Sequence, residues 1–139
     1  MSASVTWKGL REFQTWLESL PENVSTEAEH IVQGEANAAA FAIRSRYPAR
    51  TGNLRSKVVV QRRVSRGGLV SYVVKNTARH AAIFEYGTQA RHTRIGANRG
   101  SMPPGHVFLP IVLQRRRAMF LMLKDMLTKF GFSRVFGDA

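Results

Sequence analysis

The side chains able to do chemistry are few, and they are scattered. Cysteine is absent from the 139 residues, which removes disulfides, thiolate chemistry and Cys-based zinc sites. The four histidines, His30, His80, His92 and His106, show no close ligand spacing and read as ordinary surface or loop imidazoles. A hydrolytic triad needs a nucleophile, a base and an orienting acid, yet beyond residue 40 the only acids are Glu85, Asp125 and Asp138. Metal-dependent nucleases need clustered carboxylates, which the same count removes. Neither a Walker-type nor a Rossmann glycine pattern occurs, and Gly96-x-x-x-Gly100 has no strand before it or helix after it to give it meaning. The expectation is a protein without catalysis, cofactor or metal. Glu85 stands alone between positions 36 and 124. Amid so many bases it is expected to stay ionised, in a structural ion pair with a nearby Arg.

Charge is abundant but one-sided. The net charge is +12, and residues 1–40 hold two basic residues against six Glu, whereas residues 41–139 hold nineteen against three. Such a split suits a polyanion, or lets the acidic part of one subunit meet the basic part of the next. Arg91, His92, Arg94 and Arg99 lie in a stretch, 89–105, with no helical or strand period, punctuated by Gly96, Gly100, Gly105, Pro103 and Pro104. A long loop of this kind is usually functional, and it reads as a flexible basic arm offered to neighbouring subunits or to DNA. Arg115-Arg116-Arg117 spreads over roughly 200° of a helix and reads as a solvated girdle, not a DNA-reading face.

The elements that would carry these residues are legible from period and punctuation. Trp7, Leu10, Phe13, Trp16, Leu17 and Leu20 recur at helical steps, giving an amphipathic N-terminal helix within residues 1–20 that ends near Ser19. A second helix follows Pro21, with Thr26 and Glu29 as a capping box or an earlier start at the proline, and it ends before Pro48. Ala49 to Leu54 is a turn into a hairpin. Its register is set by a three-residue loop, Arg66-Gly67-Gly68 with a glycine bulge, that places Val64 opposite Val70, Val60 opposite Val74 and Arg62 opposite Tyr72. The last helix opens at Phe108-Leu109-Pro110 and is apolar over more than one stripe, so that Phe108, Leu109, Met119, Met122 and Met126 are candidates for a subunit interface. Gly131 stops it, and 132–139 is a tail. The N-terminus lacks a signal-peptide pattern, and the longest apolar run, Ala118 to Leu123, is too short to span a bilayer. A soluble protein made in the cytoplasm, with no membrane contact, is expected. The fold class is α+β: N-terminal helices and a long C-terminal helix packed on a small antiparallel sheet, in one domain of 1–139.

Three groups of residues together resemble a known family. They are Tyr47-Pro48 followed by Thr51-Gly52-Asn53-Leu54-Arg55-Ser56, then Ala82-Ile83-Phe84-Glu85-Tyr86-Gly87-Thr88, then Pro104 with Phe108-Leu109-Pro110. Over roughly residues 25–130, in order and spacing, the chain is similar to the small tail-component proteins, also described as neck or head-to-tail joining proteins, of long-tailed bacteriophages with non-contractile tails. The resemblance implies helices on a small sheet, no catalysis, and a place in the virion at the head–tail junction or tail end, after synthesis in the host cytoplasm. It implies subunits of a homo-oligomeric ring whose neighbours are head-closure, tail-terminator or tail-tube proteins, near the genome. Thr51, Gly52, Asn53 and Leu54 would form the family's turn, Glu85, Tyr86, Gly87 and Thr88 the element before the arm, and Phe108 to Pro110 its return. Two other readings use the same residues: a free-standing, sequence-independent nucleic-acid-binding protein, and a hydrolase or nuclease with a borrowed metal resting on Glu85.

Overall fold

The computed structural model describes residues 22–131 together with Thr15. The N-terminal helix and the 132–139 tail expected from the sequence lie outside the described residues, apart from Thr15. In chain order the elements are α1 (Glu22–Arg46), α2 (Asn53–Ser56), β1 (Val58–Val64), β2 (Val70–Asn76), α3 (Ala81–Tyr86) and α4 (Phe108–Lys129). Helices α1 and α4 pack on each other and on a two-stranded antiparallel sheet, which is the α+β arrangement the periodicity predicts.

The start of α1 departs from the capping-box expectation. Thr26 lies inside the helix, its hydroxyl donating to the Glu22 carbonyl one turn back at 2.9 Å, so the alternative, a start nearer Pro21, holds. The far end falls as expected: Tyr47 donates its amide to Ile43 at 3.0 Å, and Pro48 then stops the ladder.

The hairpin has the expected register. Val64 pairs with Val70, Arg62 with Tyr72 and Val60 with Val74. The loop closes through Ser65 N–H to Leu69 O at 2.9 Å and Gly68 N–H to Ser65 O at 3.0 Å, with Gly68 at φ 76°. That is a three-residue loop whose last position is left-handed, the conformation glycine adopts at no steric cost. A two-stranded ribbon is marginal alone. Here the Arg62–Tyr72 pair fastens it to α1: Glu29 accepts from Arg62 Nε at 2.8 Å and Tyr72 OH at 2.9 Å. The Arg62 contact, then Tyr72, holds the Glu29 carboxyl below its ordinary range. Arg44 Nη2 donates to the Val58 carbonyl at 2.6 Å and covers part of the open edge of β1.

The core is thin. Ala40, Ile43, Tyr47, Val58 and Ile111 form its fully buried centre, with Leu54, Val60, Val74, Phe84 and Phe108 packed around it. Glu35 is nearly buried on α1; Arg115 of α4 faces it at 3.6 Å, and its Oε2 accepts no hydrogen bond among the described residues. Met126, expected at a subunit interface, is 3% exposed, and Phe108 packs on the core. Both lie on the side of α4 turned to α1. The exposed apolar residues of α4 are Leu109, Leu113, Phe120, Leu121 and Met122 instead. Gly131 ends the last turn at φ 86°. Among the described residues no helix is long and apolar enough to cross a membrane.

Two glycines separate backbone geometry from helix propensity. A Cβ on Gly87, at φ 71°, would strike the Met102 carbonyl oxygen and approach Pro104 N at 2.9 Å, whereas Gly34 lies in a helix with nothing within 4 Å. Gly87→Ala is expected to cost about 1–3 kcal/mol and Gly34→Ala to gain about 1 kcal/mol. Urea unfolding of the two variants, with shifts of opposite sign, checks this.

Candidate functional site: the Glu85 hub and the arm it holds

Helix α4 begins without a capping side chain of its own. Gly105, His106 and Val107 precede Phe108, and Val107 at the N-cap position makes no side-chain cap bond. A helix start leaves several backbone N–H groups unpaired, and an acceptor must come from elsewhere. Glu85 supplies it. Its Oε2 accepts from Val107 N–H at 2.9 Å, and both oxygens accept from Phe108 N–H, at 3.0 and 3.1 Å. The same carboxylate accepts the Tyr47 hydroxyl at 2.9 Å. The expected ion pair between Glu85 and an arginine is therefore a correction: among the described residues the only acid–base pairs are Arg62–Glu29 and Arg115–Glu35. The positive end of the α4 dipole takes the place of the guanidinium.

Short elements aim these groups. Tyr47 is 1% exposed, and its ring meets Phe84 edge-on at 5.4 Å and 84°. Arg55 Nε donates to the Tyr47 carbonyl at 2.6 Å, and Asn76 Nδ2 to the Leu54 carbonyl at 3.0 Å. The motif turn Thr51-Gly52-Asn53-Leu54, with Gly52 at φ 69°, thus anchors Tyr47 from one side and β2 from the other. Glu85 projects from the single-turn helix α3, which ends at Gly87. Gly105, where the chain returns, donates to the Phe84 carbonyl at 2.7 Å, and a Cβ there would strike the Phe84 ring. Tyr86 is exposed and, with Tyr47, Val74, Glu85, His106 and Leu109, borders a groove of about 390 Å³.

Between these two fixed points the basic stretch folds back on itself, which its lack of period did not indicate. Thr88 and Met102 pair at its base, through Thr88 N–H to Met102 O at 2.9 Å and Met102 N–H to Thr88 Oγ1 at 3.1 Å. Further out, Arg91 N–H donates to Gly100 O, Arg99 N–H to Arg91 O and Thr93 N–H to Ala97 O. His92 pairs with Asn98. The rungs are isolated backbone contacts, so no alternation of side chains is needed to make them. At the tip Ile95 is 92% exposed. Arg91, His92, Arg94 and Arg99 are exposed too, and none has an acidic partner among the described residues.

The hub carboxylate is engaged by three donors, and among the described residues no three His, Asp or Glu converge on a metal position. It holds a helix, a turn and an arm in fixed relation. The family model described as "Bacteriophage HK97-gp10, putative tail-component" matches residues 11–87, more than half of the chain. The chain belongs to this HK97 gp10-like family. No curated protein and no solved structure matches it. The matched span takes in Tyr47, the Thr51–Leu54 turn and Glu85 to Gly87, and stops where the arm departs. As a tail-component protein, the chain is a structural part of a phage virion and works through contacts with other phage proteins.

Burial and the bond to Glu85 push the Tyr47 hydroxyl up to about 12. A phenol whose folded pKa lies above its unfolded value of about 10 adds stability that is full below pH 10 and is lost as pH rises from 10 towards 12. Alkaline unfolding of the native tail component is expected to show this loss, and Tyr47→Phe to flatten it while costing about 1 kcal/mol at neutral pH. Glu85→Ala leaves the α4 start and Tyr47 without their acceptor and is expected to cost about 2–4 kcal/mol; Glu85→Gln, which keeps one acceptor, is expected to cost less. Chemical denaturation at pH 7 and pH 11 reads all three.

Proposed function

We propose that this tail component acts at the head–tail junction or the tail end as a subunit of a homo-oligomeric ring. Each copy contacts its neighbours and the adjoining head-closure, terminator or tail-tube protein through the arm and the exposed apolar residues of α4. The observation that carries this reading is the mounting of the arm. A hairpin of roughly 17 Å per limb, tipped by Ile95 at 92% exposure, is held at both ends by the hub, so its apolar tip is displayed away from the core that could have buried it. Isolated exposed aliphatics are common, but one at the apex of a hub-braced arm is placed for a neighbour. Leu109 and Met122 supply further exposed apolar surface on α4. The distinct chemistry of arm and helix suits a heterologous contact, patch to unlike patch, which closes into rings.

A second role is favoured by the arm's cations. Arg91, Arg94 and Arg99 carry three charges without acidic partners among the described residues, and a lumen-facing arm would touch genomic DNA through phosphates, without reading sequence. Retention on duplex DNA should fall steeply with salt, and Arg94→Glu with Arg99→Glu should flatten that dependence.

Sedimentation and electron microscopy at high protein concentration are expected to show rings, and purified particles to contain the protein. Ile95→Asp is expected to reduce both assembly and incorporation without lowering the unfolding midpoint. A protein that remains monomeric at every concentration and is missing from purified particles would defeat the ring reading.

A further inference from the structure

The outer edge of β2 is unpaired, and a cleft opens beside it. The bonds from Ser65 N–H to Leu69 O at 2.9 Å and from Thr77 N–H to Lys57 O at 3.0 Å fix the alternation of the ladder, so that Ser71, Val73 and Lys75 bond to β1. Val70, Tyr72 and Val74 therefore turn their backbone N–H and C=O groups outward, where no backbone group among the described residues meets them. The corresponding edge of β1 is guarded, with Arg44 on the Val58 carbonyl and Arg62 and Arg63 along the strand. From Val70 to Val74, β2 carries no charged side chain and no proline, the devices that usually close an edge.

Next to Val70 and Tyr72, β2 and α1 leave a cleft of about 260 Å³, bordered also by Ala28, Glu29, Val32 and Leu69. An apolar cavity of about 150 Å³ already holds benzene, so an isoleucine side chain fits. Glu29 gives the cleft a carboxylate with a spare acceptor: Arg62 and Tyr72 both donate to Oε1, and Oε2 accepts from no described residue. Glu22, exposed seven residues earlier, lies on the same side of α1. The site is shaped for an apolar side chain with a cation beside it. The arm ends in that pair. Ile95 is 92% exposed, and Arg94 before it has no acidic partner among the described residues. The turn at the tip is closed by Thr93, Gly96 and Ala97, which leaves the N–H groups of Arg94 and Ile95 without an acceptor among the described residues.

The arm of the same chain does not reach this cleft. The hub holds its base at the Tyr47 end of α1, the helix rises about 27 Å between Glu29 and Tyr47, and the arm extends roughly 17 Å. We propose that the arm tip of a second copy docks here, with Ile95 between α1 and β2, Arg94 against Glu29, and the outer edge of β2 meeting the backbone of the tip. The inference rests on the reading that copies associate through the arm, and it names the surface that receives it. Arm and cleft lie towards opposite ends of α1, so each copy offers one and receives the other, a head-to-tail contact.

The chain has no cysteine, so introduced thiols report one contact at a time. Two singly substituted full chains, Ile95→Cys and Ala28→Cys, mixed at high concentration under mild oxidation, are expected to link to each other several-fold more than Ile95→Cys mixed with Phe41→Cys, a position exposed elsewhere on α1. Leu69→Lys, at an exposed position on the cleft wall, sets a cation against Arg94. It is expected to raise the concentration needed for association about tenfold without shifting the unfolding midpoint. Linking no greater than in the Phe41 mixture overturns the docking, and so does association of the Leu69→Lys chain at the unsubstituted chain's concentration; rings seen by electron microscopy in either case leave the ring reading standing without it. Linked pairs that never close into rings keep the docking and defeat the ring. No association at any concentration defeats both.

Discussion

The structure depends on one borrowed cap. Helix α4 starts at Phe108 with Gly105, His106 and Val107 before it, none of which supplies the hydroxyl or carboxylate that usually satisfies the first amides of a helix. Glu85, more than twenty residues earlier, supplies it instead and accepts Tyr47 as well. A charged acceptor at a helix N-terminus is favoured both by the individual hydrogen bonds and by the dipole. One carboxylate thereby connects the end of α1, the helix before the arm and the helix after it. Among the described residues, these three pieces are otherwise held by a core centred on Ala40, Ile43, Tyr47, Val58 and Ile111.

A thin core matters for what the protein can do. Stability rises with the share of surface a chain hides, and small chains hide comparatively little. This one leaves Phe41 and Leu121 more than half exposed on two of its helices. Such residues on an isolated body would be a liability; on a tail component they are surface available for packing within an assembled particle. The hub makes that economy workable, because it fixes the arm and α4 through polar contacts that need no large core.

Much of this was legible in the sequence, and the failures have physical causes. Alternation in Val58–Val64 and Val70–Asn76, with a Gly-Gly turn, determined the register down to Arg62 opposite Tyr72, because a slip of one residue would turn the apolar face outward. The extent of α1 and α4 followed from Pro48, Pro110 and Gly131 acting on the backbone locally. The partner of Glu85 is not legible as a charge pair in the sequence, because the opposite charge it meets is the end of a helix and not a side chain. A signal was available: a helix start without a cap residue, and a lone acid far away in sequence with nothing assigned to it. Met126 and Phe108 were assigned outward because α4 is apolar on several sides, and period alone cannot say which side meets α1. The rungs of the arm are backbone contacts between residues of no particular type, so the sequence there has no pattern to read.

The reach of the family model is consistent with the same physics. It covers Tyr47 and Glu85 and ends at Gly87, although the groups that Glu85 caps lie at Val107 and Phe108. The hub constrains its members unequally. Positions 47 and 85 must carry a phenol and a carboxylate for the bonds seen here, and Gly87 must tolerate φ 71° against the Met102 carbonyl. Val107 and Phe108 contribute only backbone N–H groups to Glu85, which almost any residue could provide. The arm's rungs ask equally little of side-chain identity. The match ends at Gly87, where the chain leaves the body, and from there to Phe108 the bonds that fix the arm and the α4 start are made mostly by backbone groups, which constrain conformation more than residue type.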